Sequence, residues 1–73
     1  MNKEKLTEKQ ERVFLSIKKY IKDNKISPTV RELCAINGLS STETIYDHLR
    51  KLRRKGYITF REKTPRSIVV LEN

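Results

Sequence analysis

Cys34 is the only cysteine of the chain, and that bounds how the fold can be held together. One thiol cannot form an internal disulfide, and neither Cys nor His stands at metal-ligand spacing from it. A chain of 73 residues without a staple has to close a small core by packing helices against strands. Its apolar share of 36% suffices for one such core and leaves nothing for another, so residues 1–73 read as a single domain. No apolar run approaches a membrane span, and the opening MNKEKLTEKQ lacks the apolar stretch of a signal peptide. A cytoplasmic protein with no membrane partner is expected.

Local signals divide the chain into three helices and a hairpin. Thr7 and Gln10 have capping-box spacing, and Val13, Phe14, Ile17, Tyr20 and Ile21 follow at helical period, which predicts a first helix from about Glu8 to Asn24. Pro28 stops any continuation, and Ile26 before it is a candidate short strand. Thr29 and Glu32 repeat the capping-box spacing, opening a second helix that ends at Asn37-Gly38. Leu39 can then fold back on it. Ser40 or Ser41 offers the N-cap of a third helix with inner face Ile45, His48, Leu49 and Leu52, ending at Gly56. Tyr57–Arg61 and Ser67–Leu71 are β-rich runs around a polar turn. The fold class is mainly α with a small β-hairpin, in the order of a winged helix-turn-helix.

The net charge of +8 is unevenly placed. Residues 50–66 contain eight basic side chains and one acid, whereas residues 1–49 contain nine and seven. Concentration of the excess in a quarter of the chain points to a contact face for a polyanion, nucleic acid or anionic lipid headgroups. The third helix then narrows the choice. At 100° per residue, Glu43, Asp47, Arg50 and Arg54 lie opposite Ile45, Leu49 and Leu52, with Tyr46 and Lys51 on the flanks. Hydroxyl, acidic and aromatic groups occupy its first two turns and cations its last two. A helix of that kind, braced by another across a turn at Gly38, suits base edges first and phosphates later.

The stretches LTEKQERVFLSIKKYI, SPTVREL, GLSSTETIYDHLRKLRRKGYI and TPRSIVVLE resemble, in order and spacing, the amino-terminal winged-helix domain of LexA repressors. The most specific elements are PTVREL, the GLSS turn, HL followed by L and KG, and PR before the last strand. The resemblance implies double-stranded DNA as partner, base reading from Ser41, Thr42, Glu43, Thr44, Tyr46 and Asp47, and a wing against the backbone. Family readout positions usually carry small or amide residues, so Thr42, Glu43, Thr44, Tyr46 and Asp47 imply a different operator. LexA proteins also have a carboxyl-terminal half with a dimer interface and a serine-lysine self-cleavage site. A chain complete at Asn73 would lack both, acting as a stand-alone repressor, monomeric or weakly dimeric and paired on DNA half-sites.

Each functional assignment has a structural counterpart. Thr29, Arg50, Lys51 and Arg54 are candidate phosphate contacts, against an ordinary solvated helix face. Arg61, Lys63 and Arg66 are candidate wing contacts, with Arg66 foremost because Pro65 fixes its approach; the counterpart is protection of an edge strand. Glu43 could instead close a capping box with Ser40, and Asp47 could pair with Lys51. Tyr46 is either a base or sugar contact or a packed flank. His48 reads as a packed, hydrogen-bonded imidazole and Cys34 as a small core residue. Lys18, Lys19 and Lys22 read as solvated surface. Two other functions compete, a protein-interaction adaptor and a single-stranded DNA binder of a mobile element; the first needs an exposed apolar patch, the second aromatic platforms. No catalytic pairing, phosphate loop, cofactor motif or metal cluster is present in the sequence, so neither catalysis, cofactor nor metal is expected.

Overall fold

The computed structural model describes residues 4–71. Helix α1 spans Glu8–Asn24, α2 Val30–Asn37 and α3 Thr42–Arg54, followed by strands β1, Ile58–Thr59, and β2, Val69–Val70. The strands pair antiparallel, Ile58 opposite Val70 and Thr59 opposite Val69. This is a winged helix-turn-helix.

Helix ends follow the local chemistry. At α1 the Thr7 hydroxyl accepts from Gln10 N at 3.2 Å while the Thr7 N–H donates to the Gln10 side chain at 3.1 Å. Thr29 and Glu32 form the same reciprocal pair at α2, at 3.1 and 2.8 Å. Each box satisfies donors that the first turn would otherwise leave open. Gly38, at φ 67°, ends α2 in the left-handed region, and Leu39 N–H then reaches back to the Cys34 carbonyl at 2.9 Å. That fold-back makes the turn tight enough for α3 to cross α2. Asn37 ties α2 to α1, donating to Leu33 O at 2.8 Å and to Ser16 Oγ on α1 at 3.1 Å.

The core lies where the three helices meet the hairpin. Val13 and Ile17 of α1, Leu33 and Cys34 of α2, Ile45, Leu49 and Leu52 of α3, and Ile58, Phe60 and Ile68 of the hairpin are all buried. Spacing at three and four residues puts the α1 and α3 sets on one face of their helices, while the adjacent Leu33 and Cys34 supply the buried side chains of α2. Cys34 is the small core residue expected.

Four expectations need correction. Ile26 is in a bend, 49% exposed, and pairs with no strand, because Pro28 and Thr29 start α2 before a ladder could form. The strands are two residues each, since Arg61 and Ser67 bond to one another through the Ser67 side chain instead of a ladder. Ser41 is the α3 N-cap but makes no side-chain cap bond, and Thr44, not Glu43, stands third from it, so no Ser40–Glu43 box forms. His48 is only half-buried and its Nδ1, itself buried, has no hydrogen-bond partner among the described residues; burial lowers its pKa.

Candidate nucleic-acid interface

Helix α3, 13 residues long, is about 20 Å of rod on the usual rise. Ser41, Thr42, Glu43, Thr44 and Asp47 are exposed along it and Tyr46 is half-buried. They do not share one direction. Tyr46 faces a groove of about 310 Å³ between the α2 N-terminus, α3 and the wing, whereas Thr44 borders a separate cleft toward α1 with His48. Asp47 pairs with Lys51 at 3.2 Å, as its i,i+4 spacing allowed.

The groove beside Tyr46 has an apolar floor, which includes Leu49 and Phe60, and a basic rim of Arg31, Arg61 and Lys63. Thr29 is at its edge; its hydroxyl oxygen is occupied by Glu32 N, but the O–H remains a donor. Arg31, Arg54, Arg61 and Lys63 are exposed, and their side chains have no hydrogen bond or ion pair to another described residue. Lys63 adopts φ 58°, so the hairpin turns sharply at its tip.

Three of the expected contacts are already engaged: Lys51 by Asp47, Arg50 by Glu62 and Arg66 by Glu32. Arg50 grips Glu62 of the wing through the Nε/Nη2 edge of its guanidinium, Nε to Oε2 at 3.0 Å and Nη2 to Oε1 at 3.2 Å, and lies 5.5 Å over the Tyr46 ring. Arg66 turns away from the wing tip. Its Nη1 donates to Ser27 O at 2.9 Å and Glu32 Oε1 at 3.2 Å, and its Nη2 to Glu32 Oε2 at 3.1 Å. The Thr29 backbone N–H, and after it Arg66, hold the Glu32 carboxyl at a pKa of about 2. Arg66 at φ 55° is therefore a brace between wing and α2 cap, and Ile68 N–H adds a bond to Ser27 Oγ at 3.1 Å.

Three further side chains, which no spacing in the sequence singles out as contacts, shape this face. Arg53 donates to Phe60 O at 3.1 Å with its guanidinium stacked 4.4 Å over the Phe60 ring, tying α3 to the wing root. Arg31 joins the basic rim. Glu62 takes both Arg50 and Arg53, and the signal was present: it is the only acid in the basic segment.

A family model described as LexA DNA binding domain matches residues 3–67. The chain belongs to the LexA DNA-binding domain family. It is 44% identical over 71 residues to the LexA repressor of Caldicellulosiruptor saccharolyticus, covering 97% of this chain and 35% of that protein. The LexA repressor of Pelotomaculum thermopropionicum is 44% identical over 70 residues, 96% of this chain and 34% of that one. For the LexA repressor of Clostridioides difficile the values are 46% over 67 residues, 92% and 32%. The chain thus spans about a third of the length of these LexA relatives. The LexA match takes in both capping boxes, the Gly38 turn, α3 and the wing through Ser67. No helix among the described residues is long and apolar enough to cross a membrane.

Proposed function

We propose that this domain reads an operator in duplex DNA and acts in transcriptional repression by occupying it, the role that the name of its relatives states for them. The observation that carries the reading is the shared face of α3 and the groove. An exposed polar helix stands next to a basic-rimmed cleft whose far wall is the wing. An α-helix fills a major groove about 12 Å wide. With α3 seated there, the α2 N-terminus and the wing flank it over the two phosphate backbones.

The roles divide along the helix. Ser41, Thr42, Glu43, Tyr46 and Asp47 are the base-facing set, with Thr44 at its α1 margin. Ser41, whose hydroxyl makes no cap bond, keeps that group for DNA. Glu43 and Asp47 accept hydrogen bonds, and the exocyclic amine of cytosine is the donor they suit. Thr29, Arg31, Lys51, Arg54, Arg61 and Lys63 contact phosphates, about half a dozen in all, giving salt-sensitive binding. Single-strand binding is disfavoured by the tyrosines: Tyr46 lies under Arg50, and Tyr57 packs edge-on against Phe14 and bonds to Glu4 O. Both rings are half-buried, short of the exposed platforms on which successive bases stack. The domain acts alone or as a weak dimer and gains site strength by pairing half-sites.

Selection from a random duplex pool at near-physiological salt tests this, with Tyr46→Ala and Arg61→Ala alongside. One enriched motif is expected, relaxed at a defined position by Tyr46→Ala. Arg61→Ala should weaken all sequences alike and lower the salt slope by about 1. No enriched motif, with equal or tighter binding to single strands, would overturn the reading.

A further inference from the structure

We propose that Glu62 is an internal competitor for DNA phosphate: it withholds the Arg50 guanidinium from the backbone and thereby sets the affinity and salt dependence of duplex binding. This rests on the duplex-binding reading above and deepens it.

A guanidinium presents two parallel N–H groups to a carboxylate, and the same two to a phosphate. Glu62 occupies the Nε/Nη2 edge of Arg50, at 3.0 and 3.2 Å. Arg50 therefore has to open that pair to grip a phosphate through the same two-donor edge. Arg53 also reaches Glu62, at 3.4 Å, but its other arm and its plane are committed to Phe60. Arg50 is the exchangeable partner and Arg53 the fixed one.

A purely structural role for the pair is weak. Its side chains are 45% and 40% exposed, and ion pairs in that setting contribute little to stability. Nor does the wing depend on it for its position. Arg53 holds the outgoing limb through Phe60 O, while Arg66 and Ser27 hold the returning one. What the pair does change is the face presented to DNA, because a carboxylate standing among cations cancels one of them. Glu62 plays the part there that a phosphate would play on docking.

The consequence is quantitative. Freeing Arg50 lets one more phosphate be neutralised, which steepens the slope of log K against log salt by about 0.9. Taken relative to 1 M salt, where that contribution vanishes, the gain is about fivefold at 0.15 M. It should be the same on every sequence, since phosphates carry no base information.

The experiment is fluorescence anisotropy of the intact chain on a random-sequence duplex, across roughly 0.05 to 0.2 M salt. Glu62→Gln and Glu62→Ala are compared with wild type and with Glu11→Gln, which makes the same charge change on exposed α1 surface away from the groove. Circular dichroism verifies that each is folded. Both Glu62 variants should bind about fivefold tighter with the steeper slope, while Glu11→Gln changes affinity less than about twofold. In an Arg50→Ala background, Glu62→Gln should lose most of its gain, the coupling that a double-mutant cycle reads. Wild type that binds duplex while Glu62→Gln is no tighter than Glu11→Gln overturns the inference alone. So does a gain that survives Arg50→Ala or is confined to one sequence. Absence of duplex binding by every variant overturns the duplex reading and this inference with it.

Discussion

Leu49 is the side chain on which both the core and the groove rest. It is 0% exposed, belongs to the buried cluster, and forms part of the groove floor beside Tyr46. Replacing it with alanine deletes three carbons, about 2.4 kcal/mol at 0.8 per buried methylene-sized group. The incompletely relaxed cavity adds about 1 kcal/mol more, giving roughly 3 to 4 kcal/mol. A domain of this size holds only about 4 to 11 kcal/mol in total. Leu49→Ala should therefore lower the melting temperature by about 12 to 32 °C, at some 4 to 8 °C per kcal/mol. Urea unfolding followed by helical circular dichroism measures the change, with an unaltered m-value showing that stability and not compactness moved. Leu15→Ala, at a side chain 54% exposed on α1, is the reference and should stay within about 0.5 kcal/mol of wild type. A loss below about 1 kcal/mol for Leu49→Ala at constant m would refute the placement of the core under α3.

Three further outcomes follow from the caps and the titrating groups. Thr29→Ala should cost about 1 kcal/mol in urea unfolding, whereas Ser41→Ala should cost almost nothing, because only the first hydroxyl makes a cap bond. Glu32 has a folded pKa of about 2 against 4.5 for the free side chain; its contribution is complete above the free value and lost as pH falls through the folded one. Urea midpoints should decline from about pH 4.5 toward 2, and Glu32→Gln should flatten that limb. Burial lowers the His48 pKa from 6.5, so the folded state prefers the neutral ring and loses stability as pH falls below that value. His48→Gln should abolish the component of the pH profile that begins there, and an unchanged profile would contradict the burial of Nδ1.

What could be read from the sequence depended on how far apart the interacting residues lie. Thr7 with Gln10 and Thr29 with Glu32 are three residues apart, so each box was legible as spacing, and with it the start of α1 and α2. Gly38 and Gly56 marked helix ends because only their backbones take positive φ without strain. The pairing of Asp47 with Lys51 came from helical period in the same way. Arg66 did not: its partner Glu32 is 34 residues away, and nothing local to Pro65-Arg66 says that the guanidinium turns back onto a helix cap. Glu62 and Arg50, 12 residues apart, were hidden by the turn between α3 and the wing. The short strands escaped for a related reason, since the Ser67 hydroxyl competes with the ladder and β-propensity does not register that competition. The basic segment was thus visible as a cation count, but which cations remain unpartnered was decided by the tertiary fold.

Gln10 has a consequence for how the molecule opens. It is 5% exposed, and its Oε1 accepts from Thr7 N at 3.1 Å and from Lys55 Nζ at 2.8 Å. Lys55 Nζ also donates to Lys5 O, and Tyr57 OH to Glu4 O. One amide oxygen thus belongs at once to the beginning of the first helix and to the end of the last, 45 residues away. Fraying at residues 5–10 strips a partner from Lys55, and melting at Lys55 exposes an acceptor inside the α1 cap. Such reciprocity makes the two ends a single cooperative unit of opening, which amide exchange would register as matched protection in the first turn of α1 and around Gly56. The wing would then be mounted on a root that comes apart only when the leading helix does.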